Sequence, residues 1–278
     1  MEVMDILIAM ALGLGVLAVI VAFSLLRRRH RHKLRHKPMP EIWQKIIKKN
    51  VPLYLHLPNE LQQQLEGHVM VFLDEKEFEG CQGLVITDEI KVTIAAQACM
   101  LLLNREPTYY PKLDTILVYP KAYIARGISR VGNQFVHEQE STRLGESWLN
   151  GSVILAWDHV KMQAGDFRDG HNVVLHEFAH QLDQEDGAGD GVPILEQHSQ
   201  YMAWSRVLGQ DYQELCEKTA KHKPDILDDY GATNPAEFFA VATETFFEKA
   251  QQLKEKHPKL YAELAEYYKL SPAEWSRN

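Results

Sequence analysis

The sequence predicts an α+β domain carried behind a single N-terminal transmembrane helix. Three observations lead there. Ile6–Leu26 is an uncharged apolar run with seven Lys/Arg directly behind it. Helix-periodic segments then give way to two β-rich runs and return to helix. Within the second helical half, His176 and His180 stand four residues apart around Glu177.

Taken in order, Ile6–Leu26 holds one Ser and no charge. At about 1.5 Å per residue a helix of that length spans a hydrocarbon core of about 30 Å. A secretory signal has an apolar region of only about 7–15 residues, with its positive charge in front. Here the charge follows, as Arg27, Arg28, Arg29, Arg31, Lys33, Arg35 and Lys37. The positive-inside rule then puts residues 38–278 in the cytoplasm, anchored to the inner membrane. Residues 1–37 form an anchor with a basic juxtamembrane segment, and residues 38–278 one domain. The basic run, which includes His30, His32 and His36, is read as a topology signal lying against anionic lipid rather than as a metal or nucleic-acid site. The 278-residue chain carries a net charge of −8. Its basic head leaves the remainder strongly acidic, so direct nucleic-acid binding is not expected. Three scattered cysteines exclude a disulfide scaffold and a Cys-based zinc site.

In the body, Glu41–Lys49 and Asn59–Phe72 have helical apolar spacing. Thr87 is placed to cap a helix running to Asn104, with Ile90, Ile94, Ala98 and Leu101 as its apolar stripe. Thr115–Tyr119 and Gly151–Trp157 read as strands. From His171 onward the pattern is mostly helical. No Gly/Ser linker or repeat divides residues 38–278, and neither a phosphate-binding GxxxxGK[ST] nor a GxGxxG motif occurs.

The chemistry concentrates in HNVVLHEFAHQLD, residues 171–183. On a helix, residues i and i+4 share a face, so His176 and His180 can reach one metal ion at about 2.0–2.1 Å. Glu177, one step round, is placed to act as general base on a metal-bound water. The apolar residues around these three predict a buried helix, and buried imidazoles need a partner, which a metal provides. A catalytic zinc usually has three protein ligands and a water. The extended HExxHxxGxxH pattern fails, because Asp183 and Asp186 stand where its Gly and third His belong. The strongest context for a third ligand is DDYGATNPAEFFAVATETFF. There Asn234 reads as a helix cap and Pro235 as the first helical residue. Glu237 and Glu244 are even candidates on spacing, with Asp183 behind them. Glu237 is also open to a purely capping role, since Asn234-x-x-Glu237 has capping-box spacing.

HEFAHQLD, the strand GSVILAW and DDYGATNPAEFF together resemble the Mlc titration factor A (MtfA) family of bacterial zinc peptidases. That family is in turn similar in its catalytic core to the lethal-factor type of gluzincin. The resemblance implies a zincin-like peptidase domain with Zn2+ on His176, His180 and Glu237. It further implies Glu177 as catalytic base and Tyr230 supporting the oxyanion. Val153–Trp157 is open to being a core strand or a sheet edge that pairs with an extended peptide, and the resemblance favours the edge. The expected activity is hydrolysis of peptide or protein substrates, aminopeptidase-like on short ones. A second class of function is also implied, a regulatory protein that sequesters a transcriptional repressor or other partner at the membrane. Asp183 reads as a group orienting a ligand His or as an exposed helix-end carboxylate, and 185–192 as a connection near the cleft.

Overall fold

The computed structural model describes residues 2–275 apart from 122, 126–127, 132–133, 138–140, 144 and 149–150. For residues 2–9 and 11, and for the described residues among 123–148, only the backbone is described. The chain opens with α1 (Glu2–Arg35), α2 (Glu41–Asn50) and α3 (Asn59–Glu75), followed by β1 (Glu77–Gly80) and α4 (Asp88–Met100). The strands β2 (Thr115–Tyr119), β3 (Tyr123–Ala125), β4 (Ile128–Val131), β5 (Gln134–His137), β6 (Ser141–Arg143), β7 (Gly145–Trp148) and β8 (Ser152–Ala156) come next. The second helical half comprises α5 (Trp157–Gly165), α6 (Val173–Asp183), α7 (His198–Ala220), α8 (Pro235–Glu248), α9 (Ala250–Lys256) and α10 (Pro258–Tyr268).

The main sheet has the order β1-β2-β8-β7. β1, β2 and β8 run parallel, and β7 closes one side antiparallel to β8, with Trp148 opposite Ser152. Two small antiparallel pairs, β3 with β6 and β4 with β5, lie between β2 and β7 in sequence. One apolar core joins the sheet to the helices. Val153 and Leu155 of β8 are buried in it with Leu175 and Phe178 of α6 and with Phe238, Phe239 and Phe246 of α8.

Thr87 caps α4 as expected, accepting from the Ile90 N–H at 3.4 Å. β2 has the predicted bounds, while Trp157 opens α5 instead of ending β8. One expectation is corrected. β8 is hydrogen-bonded on both sides, by β2 and β7, so it is not an edge. A strand with four consecutive buried residues is interior by composition, and among the described residues the edge beside it is β7.

Among the described residues no helix is long and apolar enough to cross a membrane. The predicted span begins among residues 1–9, whose side chains lie outside the described residues. From Met10 to Leu26 it is helical, with Leu12, Val19 and Phe23 each about two-thirds exposed. The basic run behind it lies on the body. Glu75 at the end of α3 accepts from Arg31 Nε at 2.7 Å and from Arg27 Nη2 at 2.8 Å. The Arg31 guanidinium also lies 4.6 Å above the Tyr109 ring. Gly67 lets the helices touch, since a Cβ there would meet the Arg35 carbonyl oxygen at 2.7 Å.

Candidate metal centre

α6 starts where Asn172 turns its side chain back on the helix, its Oδ1 accepting from the Leu175 N–H at 3.0 Å. Val173, Val174, Leu175, Phe178, Ala179 and Leu182 bury the helix on nearly every side. His176 and His180 then sit one turn apart with their rings edge to face, centroids 4.9 Å from each other. α8 starts in the same manner, the Asn234 Oδ1 accepting from the Glu237 N–H at 3.0 Å, with Pro235 at the first helical position. Its first turn lifts Glu237 to α6. Glu237 Oε2 is 2.9 Å from His176 Nε2 and 3.2 Å from His180 Nε2. The two Nε2 atoms are 3.2 Å apart.

These donors fit a metal. A tetrahedral ion with bonds of about 2.0–2.1 Å holds its ligand atoms about 3.3 Å from each other, close to all three separations. Among the described residues His176, His180 and Glu237 are the one group of His, Cys, Asp and Glu converging in this way. The tautomer also fits. His176 Nδ1–H donates to Glu244 Oε1 at 2.7 Å, which leaves the Nε2 lone pair free for an ion. Burial pulls the His176 imidazole down, but Glu237 and Glu244 outweigh it and hold it well above its usual value. Burial raises the Glu237 carboxyl, and the two imidazoles reverse this and bring it to about 2.

Glu177, on the turn between the two histidines, is 5% exposed. Tyr230 sits in a 3₁₀ turn, Asp229–Ala232, held by Asp228 Oδ1 accepting from the Tyr230 N–H at 2.7 Å. Its ring lies 6.0 Å from the His176 ring and its side chain is half exposed. Burial, with the charges of Glu237 and Glu177, raises the phenol, so it stays protonated and able to donate.

Asp183 is not an exposed helix-end carboxylate. It is fully buried, and both its carboxylate oxygens accept from the Gly191 N–H at 2.9 Å. Gly191 has φ +84°, and a Cβ there would come within 2.4 Å of the Pro235 carbonyl oxygen. Asp183 therefore pins the loop against which the first turn of α8, and so Glu237, is seated. Glu244 falls behind His176 and not among the three converging donors. The tasks of Asn172 and Gly191 escaped sequence reasoning. Asn172 carried a usable signal, an Asn directly before an apolar helix.

The fold and the three converging donors are those of a metal-dependent peptidase. The chain belongs to the glucose-regulated metallo-peptidase M90 family, whose model matches residues 25–269. It is 43% identical over 266 residues to the uncharacterized protein slr2042 of Synechocystis sp., covering 95% of this chain and 97% of that one. It is 29% identical over 230 residues to Mlc titration factor A of Klebsiella pneumoniae, covering 80% and 84% of the two chains. The same-named protein of Yersinia pestis is 27% identical over 243 residues, covering 85% and 88%.

Proposed function

We propose that the chain is a zinc peptidase whose ligands are His176, His180 and Glu237 and whose general base is Glu177. The observation that carries this reading is the convergence of two imidazoles and a carboxylate beside a buried glutamate. A bound zinc supplies a water of lowered pKa and a Lewis acid for the scissile carbonyl. Glu177 would take a proton from the attacking water as its oxygen bonds to the scissile carbonyl carbon, and would return it to the nitrogen as the C–N bond breaks. The Tyr230 hydroxyl donates to the oxyanion that forms on the carbonyl carbon's oxygen. The half-exposed side chain of Tyr230 stands beside His176, open to solvent. Short peptides, cleaved in aminopeptidase fashion, are the substrates this reading favours, from the family resemblance.

The exposed apolar run of α1 and the basic residues behind it support a single-pass anchor in the inner membrane, with the catalytic domain on the cytoplasmic side. The test of the chemistry is Glu177→Gln. It is expected to keep its zinc and lose turnover by about 10²–10⁴-fold on a peptide substrate; wild-type turnover would remove Glu177 from the mechanism. The name Mlc titration factor A favours a second reading, a protein that binds a transcriptional repressor. It predicts that Glu177→Gln leaves partner capture unchanged.

A further inference from the structure

A chain of contacts that the proposed chemistry does not itself use runs behind the metal-facing edge of His176. His176 Nδ1 donates to Glu244 Oε1 at 2.7 Å, and the Asn172 backbone N–H donates to Glu244 Oε2 at 2.5 Å. Asn172 Oδ1 caps α6, while Asn172 Nδ2 donates to Glu248 Oε1 at 2.9 Å. Glu244 and Glu248 lie one turn apart on α8, both buried and both aimed at the start of α6.

Glu248 is costly where it stands. Burial pushes its carboxyl well above the usual range, and the charges of Glu244 and Asp169 push it further, against hydrogen bonds from Asn172 and the Gly170 backbone. An apolar side chain at this buried position would avoid that cost. What the carboxyl supplies is direction. The Asn172 carboxamide must turn its oxygen to the Leu175 N–H, and its nitrogen needs an acceptor on the other side. Glu248 is that acceptor, and a flipped amide would lose the bond from the Leu175 N–H. An Asn172 held this way keeps its backbone N–H on Glu244. Glu244, gripped at both oxygens, then fixes the ring plane of His176 and the proton on its Nδ1.

We propose that Glu248 is a positioning residue for the metal centre, acting through Asn172 and Glu244 on His176. The proposal rests on the zinc reading above. Its test is the zinc dissociation constant of the full-length protein, measured by competition with a chromogenic chelator, together with the melting temperature of the metal-free protein. Glu248→Ala is expected to weaken zinc about tenfold. Glu248→Gln keeps an acceptor for the Asn172 amide and is expected to stay within about twofold of wild type. Asn172→Ser keeps a helix cap but loses the link to Glu248, and should weaken zinc as Glu248→Ala does. If Glu248→Ala fails to fold, Asn172→Ser carries the test. Wild-type zinc affinity in these two variants, even with a lowered melting temperature, overturns the proposal and leaves the zinc reading standing. A wild type that binds no zinc overturns both.

Discussion

The position of one proton decides how His176 presents itself. Placed on Nδ1 and held by Glu244, it leaves Nε2 as the only lone pair facing Glu237 and His180. The HExxH half of this site is legible in the sequence, because two His at i and i+4 beside a Glu on an apolar helix suit a metal better than core packing. The third donor is not. Glu237 and Glu244 are seven residues apart and share a face of α8, so spacing treats them alike. Only the way α8 meets α6 sends Glu237 to both Nε2 atoms and Glu244 to Nδ1. Tyr230 makes its own prediction at this scale. Tyr230→Phe is expected to lower kcat by about 10²–10³-fold and leave zinc affinity unchanged, because the hydroxyl meets charge only in the transition state. Equal kcat in the two proteins would exclude the hydroxyl from the reaction.

Between elements, buried polar clusters decide how the helices seat. His257, at the start of α10, is held at 2.6 Å by Asp211 of α7 and at 3.0 Å by Asp225 of the loop leading to Tyr230. Lys218 of α7 grips the same Asp225 at 2.6 Å. The hydrogen bond to Asp211 raises His257 above its ordinary 6.5, burial opposing and Asp225 adding to it. Burial raises Asp225, yet Lys218 and His257 bring it from 3.8 down to about 2. The cluster's contribution is therefore complete between pH 3.8 and 6.5. It fades as pH rises through the raised His257 value, and as pH falls toward about 2. The gap in melting temperature between wild type and His257→Gln should be widest inside that window and narrow toward alkaline pH. A gap that grows with rising pH would contradict the assignment.

At this scale the sequence told the helices well and the sheet poorly. α2, α3, α4 and α8 announce themselves through apolar spacing and caps. β3 to β7 are three or four residues each, too short for alternation to emerge, and none was anticipated. The resemblance alone favours an edge at β8, and its run of buried residues marks it as interior.

For the whole molecule, the basic run behind the apolar helix has two faces. Arg27 and Arg31 turn inward to Glu75, while Arg28, Arg29 and Lys33 stay exposed. Burial raises the Glu75 carboxyl, but the two guanidinium groups outweigh it and hold it near 2. α1 is thus latched to the body instead of trailing from it, which charge counting along the sequence could not reveal. Glu75→Gln should loosen that latch by about 1–2 kcal/mol, discounted for the partial exposure of Arg27. Trypsin should then cut residues 27–37 about tenfold faster, with zinc content unchanged. An unaltered cleavage rate would mean that packing at Gly67 and Tyr109 holds the helix without the ion pairs.

The most direct test of the central claim is the metal content of the purified full-length protein, with Glu237→Ala and Glu244→Ala beside it. The predicted result is about one zinc per chain in the wild type, lost in Glu237→Ala and retained in Glu244→Ala. A folded wild type without zinc, or a Glu237→Ala protein that keeps it, would contradict the proposed centre.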